Sequence, residues 1–327
     1  MKLSVVTTIY RTADSVEEFH ARASDAANAI GAQLETIFVN DGSPDDGLQV
    51  AQNLARRDSR VTVIDLSRNY GQHKALWTGT LIASGDLVAV LDGDLDDDPL
   101  WIVEFERTLR NSEVDVVFGL TRGINRSLLY RLGRQIFYRS VDLVTRQNFP
   151  RNITTARLMS RRYVEALRQF PEREVHPLGI WAIAGFRQIG VPVEKPARSR
   201  TSYDFVRLLS IFISGITSFS TLPLMLVFVV GMIISLLAVL NIVYLFIQRF
   251  VVGVGVPGWT SVIALQLLIG GLLLFFNGII AIYIGTIYLE VKGRPRTIVR
   301  SITHIPSAAA ATEPQDRNMT SMSSGRL

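Results

Sequence analysis

A chain of 327 residues with 34 basic and 29 acidic side chains, net +5 at neutral pH, is long enough for one large domain with an addition or for two modest domains. Between Leu208 and Leu289 the single charged residue is Arg249, which excludes a wholly soluble enzyme, and also a polytopic transporter, which would need more spans. The absence of cysteine excludes disulfides, thiolate zinc sites and a cysteine nucleophile, and the small basic excess is not gathered as a nucleic-acid-binding surface would require.

In chain order, short β-branched runs alternate with helical patterns. LSVVTTI (3–9), ETIFVN (35–40), VTVIDL (61–66), DLVAVLD (86–92) and VDVVFGL (114–120) read as strands, and the stretches near 14–31, 45–57, 71–84 and 99–112 read as helices. That alternation predicts an α/β domain with a parallel sheet covered by helices on both faces. In such sheets ligands bind beyond the carboxyl ends of the strands. Tyr10, Asp41, Ser67–Asn69, the aspartates from Asp92 and Arg122 all fall there. A dinucleotide site is excluded, because the first strand runs into Tyr10-Arg11-Thr12-Ala13-Asp14 with no glycine to let a pyrophosphate approach the backbone. The opening MKLSVVTTIY has too short an apolar run for a secretory signal, so the domain is expected in the cytoplasm.

LDGDLDDDP (91–99) puts five aspartates in seven residues at the end of an apolar strand. Carboxylates so close repel one another unless a cation neutralises them, and hard oxygen ligands favour Mg²⁺ or Mn²⁺. Favourable charge at a helix N-terminus would account for Asp97 and Asp98, but not for Asp92 and Asp94 straddling the strand end.

Further along, Phe205, Leu208, Leu209, Phe212, Ile213 and Ile216 recur at helical spacing, and 204–220 reads as an amphipathic helix lying in a membrane interface. Two uncharged runs follow, 222–247 and 262–289, each longer than the roughly 20 residues that cross a bilayer. Lys195, Arg198, Arg200 and Arg207 precede the first, and Lys292, Arg294, Arg296 and Arg300 follow the second, which predicts both termini on the cytoplasmic face of the inner membrane. Gly231, Gly270, Gly271, Gly278 and Gly285 in these runs would allow close packing and a homo-oligomer. The polar, small-residue stretch 301–327 reads as disordered.

VNDGSPDDG (39–47), LSRNYGQHKAL (66–76) and LDGDLDDDP (91–99), in that order, resemble the family 2 inverting glycosyltransferases of the GT-A (Rossmann-like) fold. With two spans after the catalytic domain and ITSFSTLPL (216–224) entering the first, the chain is similar to the polyprenyl-phosphate glycosyltransferases, which include bactoprenol glucosyl transferases and dolichol-phosphate mannose synthases. The resemblance implies a GT-A domain over 1–203, a nucleotide sugar (UDP-hexose the first guess) as donor and a polyprenyl phosphate as acceptor. It implies Thr8, Tyr10, Asp41, Arg68 and Asp92 at the nucleotide sugar, and Asp92, Asp94 and Asp96 at the metal. Arg122, Arg131, Arg134 and Arg200 would meet the acceptor phosphate, with Asp94, Arg122 and Arg157 closest to the chemistry.

The chain departs from that pattern at several positions. Thr155 and Ser160 stand where the family has carboxylates, and Arg11-Thr12 replaces an Asn-Glu pair. Near the membrane, Thr201-Ser202-Tyr203 lacks a lysine. A sugar hydroxyl acceptor would need a general base, whereas a phosphate monoester, with a second pKa of about 6, is already ionised. Two other readings compete with this one. A processive synthase would carry Q-x-x-R-W, which does not occur. A membrane-bound protein that binds nucleotide sugar without catalysis would be consistent with Thr155, but not with the intact D-x-D.

Overall fold

The computed structural model describes residues 1–121, 153–171, 180–181, 184–195, 222–251 and 258–304. Strands β1 (Lys2–Ile9), β2 (Gln33–Asn40), β3 (Val61–Leu66), β4 (Leu87–Val90) and β5 (Val116–Thr121) alternate with helices α1 (Val16–Ala29), α2 (Gly47–Arg57), α3 (Gln72–Ile82) and α4 (Trp101–Ser112), as the sequence pattern predicts. Then come β6 (Ile153–Ser160), α5 (Arg161–Leu167), β7 (Gln188–Val193), α6 (Leu222–Phe250), α7 (Trp259–Val291) and β8 (Val299–Thr303).

The eight strands form one sheet in the order β7-β5-β6-β4-β1-β2-β3-β8. It is mixed rather than parallel, which corrects the expectation. Strand β6 runs antiparallel between β4 and β5, and β8 runs antiparallel along β3. Strands β1 to β4 are parallel and buried on both faces, which explains their nearly continuous apolar runs. Side chains alternate between two cores. Leu3, Val5, Phe38 and Val63 pack with Phe19 of α1 and Phe105 of α4. Val6, Ile37, Val39 and Ile64 pack on the opposite face with Leu76 and Trp77 of α3 and Tyr163 of α5. From β1 the chain steps outward through β2 and β3, then crosses to the other side of β1 for β4. That reversal opens a crevice beyond the ends of β1 and β4, where α/β sheets bind ligands.

Helices α6 and α7 are 29 and 33 residues long. Among the described residues nothing covers side chains such as Phe228 and Leu274, which are 69% and 76% exposed. Within α7, Leu268–Val291 is long and apolar enough to cross a membrane, whereas the apolar stretch described in α6, Val227–Asn241, is shorter. One described helix therefore meets both requirements, against the two spans expected. The disordered reading of 301–327 is corrected at its start, since Ser301–Thr303 belong to β8. The expected interfacial helix 204–220 and the rest of the tail lie outside the described residues.

Candidate active site

Asp92 lies two residues past β4, with the N–H of Leu91 between them still bonded to the carbonyl of Val6 in β1. The chain then passes so close to β1 that a Cβ on Gly93 would lie 2.3 Å from the Thr8 carbonyl oxygen, so only glycine fits there. Two residues on, Leu95 is held at a φ of 63°, an unfavourable conformation for a branched side chain. The loop thus presents its carboxylates in different directions.

Asp94 is exposed, and its Oδ1 accepts the N–H of Asp96 at 3.1 Å. Asp92 is half-buried, 2.5 Å from Gln72 Nε2 and 3.7 Å from Lys195 Nζ. Burial and the neighbouring Asp97 push its pKa up, while Lys195 and the Thr155 hydroxyl pull it down. Asp97 is wholly buried; its Oδ1 lies 2.8 Å from Lys195 Nζ and its Oδ2 accepts the Asp92 N–H at 3.3 Å. The reading of Asp97 as helix N-terminal charge is therefore corrected, because it is the buried anchor of a Lys195 ion pair. Asp98 does take the helix-terminal role, accepting from Leu100 N at 3.0 Å and pairing with Arg22 at 3.1 Å.

Asp92, Asp94 and Asp97 crowd around the single ammonium of Lys195, and burial favours the neutral forms of Asp92 and Asp97. Among the described residues no group of three or more acids and histidines is arranged to hold a metal ion unaided. Asp92, Asp94 and Asp96 thus do not make a closed cage. Exposed Asp94 beside half-buried Asp92 offers hard oxygen ligands, and these fit a divalent cation whose remaining ligands are a substrate's phosphate oxygens, the usual arrangement for Mg²⁺.

Arg157 lies on β6, in register with Val90 of β4 and Phe118 of β5, and is 2% exposed. Its Nε donates to the Thr155 carbonyl at 3.3 Å, and its guanidinium packs on the Trp181 ring. Burial lowers its pKa to about 9, against the opposing pull of Tyr163 and Asp97, so it stays cationic at neutral pH. The departures at 155 and 160 separate here. Thr155 reaches Asp92, whereas Ser160 caps α5 by accepting from Tyr163 N at 3.3 Å and donates to Asp115 at 3.0 Å.

Across the crevice, the Asp41 carboxylate is almost fully buried, which pushes its pKa up. Its oxygens accept the N–H groups of Tyr70 at 2.7 Å and Gly71 at 2.9 Å, locking the loop after β3. Gly42 lets that loop close, since a Cβ there would lie 2.7 Å from Asn69 N. Arg68 stacks over Tyr70, 4.8 Å from its ring centre, and Thr8 lies buried at the end of β1. Tyr10 is 45% exposed at the end of a central strand, so it caps no sheet edge.

Arg122, Arg131, Arg134 and Arg200 lie outside the described residues. Lys195, Gln72 and Asp97 join the site without having been assigned to it from sequence. Gln72 stood inside a recognised motif, but Lys195 read only as a charge flanking a membrane span.

Residues 4–168 match the profile of glycosyl transferase family 2. Full-length relatives include a putative glycosyltransferase of Mycobacterium tuberculosis, 40% identical over 92% of this chain and 88% of its own length. An uncharacterised glycosyltransferase of Synechocystis is 32% identical over 92% and 96%. The bactoprenol glucosyl transferase of Shigella phage SfII is 30% identical over 92% and 98%. Among solved structures, glucosyl-3-phosphoglycerate synthase of M. tuberculosis, crystallised with Mn²⁺, UDP and glucosyl-3-phosphoglycerate, aligns over 66% of this chain and 79% of its own. Its TM-score is 0.50 at 18% identity, a likeness of fold. A sheet with its acid cluster at the β1–β4 crevice, a family match over half the chain and relatives spanning nearly all of it converge: the chain belongs to glycosyl transferase family 2.

Proposed function

We propose that this glycosyltransferase moves a single sugar from a nucleotide sugar to a polyprenyl phosphate at the cytoplasmic face of the membrane, inverting the anomeric centre. The observation that carries the proposal is the Asp92–Asp94 corner in a domain whose sheet the chain leaves before the long helices α6 and α7 and rejoins after them. The chain leaves the sheet after β7 and rejoins it at β8, so any crossings between them must be even in number. At about 1.5 Å per residue, α6 and α7 are roughly 44 and 50 Å long, more than the ~30 Å hydrocarbon core requires. Similarity over nearly its whole length to a bactoprenol glucosyl transferase supports the acceptor class.

In this reading Asp92 and Asp94 hold Mg²⁺ or Mn²⁺ on the donor diphosphate. Such a cation would neutralise charge on the departing nucleoside diphosphate. Gln72 and Thr155 orient Asp92, and Lys195, paired with buried Asp97, keeps the corner from carrying three uncompensated charges. Asp41 shapes the nucleotide pocket by holding the Ser67–Gly71 loop, with Thr8, Tyr10 and Arg68 at its rim. Arg157, cationic and buried behind the acids, fixes their position and offsets charge where the sugar leaves. Arg122, Arg131, Arg134 and Arg200 are assigned to the acceptor phosphate. A phosphate nucleophile arrives ionised, so Thr155 in place of a carboxylate costs no general base.

The test is incubation of the purified protein and Mn²⁺ with undecaprenyl phosphate and a panel of nucleotide sugars. A glycosylated lipid phosphate from one donor is expected. Transfer only to hydroxyl acceptors, with the lipid phosphate untouched, would refute the acceptor assignment.

A further inference from the structure

The polypeptide that emerges from α7 returns to the domain and takes hold of one loop. Strand β8 pairs with β3 through Val63↔Thr303, Ile64↔Ile302 and Asp65↔Ser301, then slips so that Leu66 faces Val299. At that slip the Ser67 N–H donates to the Ile298 carbonyl at 2.9 Å, and Arg300 Nη2 donates to the Ser67 carbonyl at 2.7 Å. Arg300 Nη1 also meets Asp65 Oδ2 at 3.2 Å, and the other Asp65 oxygen accepts from Asn40 at 2.7 Å. Asn40 immediately precedes Asp41.

The Ser67–Gly71 loop is therefore suspended between two supports. Asp41 holds its far end through Tyr70 and Gly71, and β8 with Arg300 holds both backbone polar groups of Ser67 at its near end. Little of β8 is packed into the core: Val299 and Ile302 are 36% and 52% exposed. Beyond its ladder with β3 and the His304–Thr62 contact just after it, the side-chain bonds of β8 fall on Asp65 and Ser67, at the start of the loop, where a positioning role would put them. The segment is also tethered before the strand, by the Thr297–Thr78 hydroxyl pair at 2.7 Å and by Arg296, which donates to the Phe170 carbonyl.

We propose that Arg300 is a positioning residue for the donor-nucleotide pocket: with β8 it fixes the Ser67–Gly71 loop, so that the chain leaving the membrane helices completes the pocket wall. The inference rests on the reading of Asp41 and its loop as that wall. Membrane anchoring and donor binding are then mechanically joined through the segment that follows α7.

The test is calorimetric titration of the full chain with UDP and with GDP, in the presence of Mn²⁺, alongside apparent KM values for undecaprenyl phosphate. Arg300→Ala is expected to weaken the nucleotide that wild type binds by roughly tenfold, as loss of charge-assisted bonds does. The lipid KM and the melting temperature should stay near wild type, and Arg300→Lys should fall between. Asp41→Asn separates the two readings. Unchanged nucleotide affinity in Arg300→Ala with a clear loss in Asp41→Asn overturns the Arg300 role alone. Unchanged affinity in both, or no nucleotide binding by wild type, overturns the pocket assignment and this inference with it. Should Arg300→Ala not fold, the same ordering is required of Arg300→Lys, which keeps the charge but not the two-pronged reach.

Discussion

Replacing Lys195 by methionine tests whether the acid corner is held together from within. Lys195 Nζ lies 2.8 Å from Asp97 Oδ1 and 3.7 Å from Asp92 Oδ2, and its side chain is 24% exposed while that of Asp97 is fully buried. Without the ammonium, the described hydrogen bond left to the Asp97 carboxylate is the Asp92 N–H at 3.3 Å. Removing one partner of a buried pair costs about 3–5 kcal/mol when the remaining charge stays unpaired. Because burial already pushes the Asp97 pKa up, the acid can take up a proton instead, which caps the loss at the lower end, ~3 kcal/mol. In domains of 150–250 residues each kcal/mol moves the melting temperature by about 2–4 °C, so a fall of up to roughly 6–12 °C is expected for the domain that carries the sheet. The assay is thermal unfolding of the detergent-solubilised protein at pH 7 and one scan rate. Lys195→Met/Asp97→Asn, which removes both charges, should recover most of the loss. A single variant that melts with wild type, or a double variant no better than the single, would refute the ion-pair account.

Asp94→Asn should abolish sugar transfer yet leave the melting temperature within about 2 °C of wild type, because exposed surface changes are usually worth under ~0.5 kcal/mol; transfer that persists in EDTA would remove the metal assignment. At Glu35, burial raises the pKa, but bonds from Ser4, Lys2 and Ser84 outweigh it and hold the acid at about 2 against 4.5. A depressed folded-state pKa means this stability, roughly 3 kcal/mol, is present above pH ~4.5 and lost as pH falls toward 2. Glu35→Gln should flatten the acid limb of the melting-temperature profile, and an unchanged slope would contradict the assignment. Cysteines introduced one at a time at Met1, Gly255 and Arg300 should react with an impermeant reagent on intact cells at Gly255 alone; labelling at Met1 would reverse the topology.

Much of the fold is legible in the chain because its signals are local. Continuous β-branched runs separated by helical periodicity mark β1 to β5 and α1 to α4, since a strand buried on both faces must be apolar throughout. The D-x-D is legible for the same reason: its residues are neighbours at the end of one strand. Long uncharged runs likewise announce α6 and α7. Other features depend on partners far away in sequence. Ile153–Ser160 has no turn or periodicity that reveals its antiparallel place between β4 and β5, and Val299–Thr303 forms a strand because the edge of β3 offers it unpaired backbone groups. Lys195 looks like any basic residue before a membrane span until β7 delivers it to Asp97. Ser160 stands where the family resemblance expects an acid, but its local backbone makes it a helix cap. Sequence by itself determined β1 to β5 with the helices between them, the family and the acidic character of the loop after β4. Tertiary structure alone decided which charge neutralises that loop and which strand closes the sheet, because both depend on long-range pairings that no local pattern encodes.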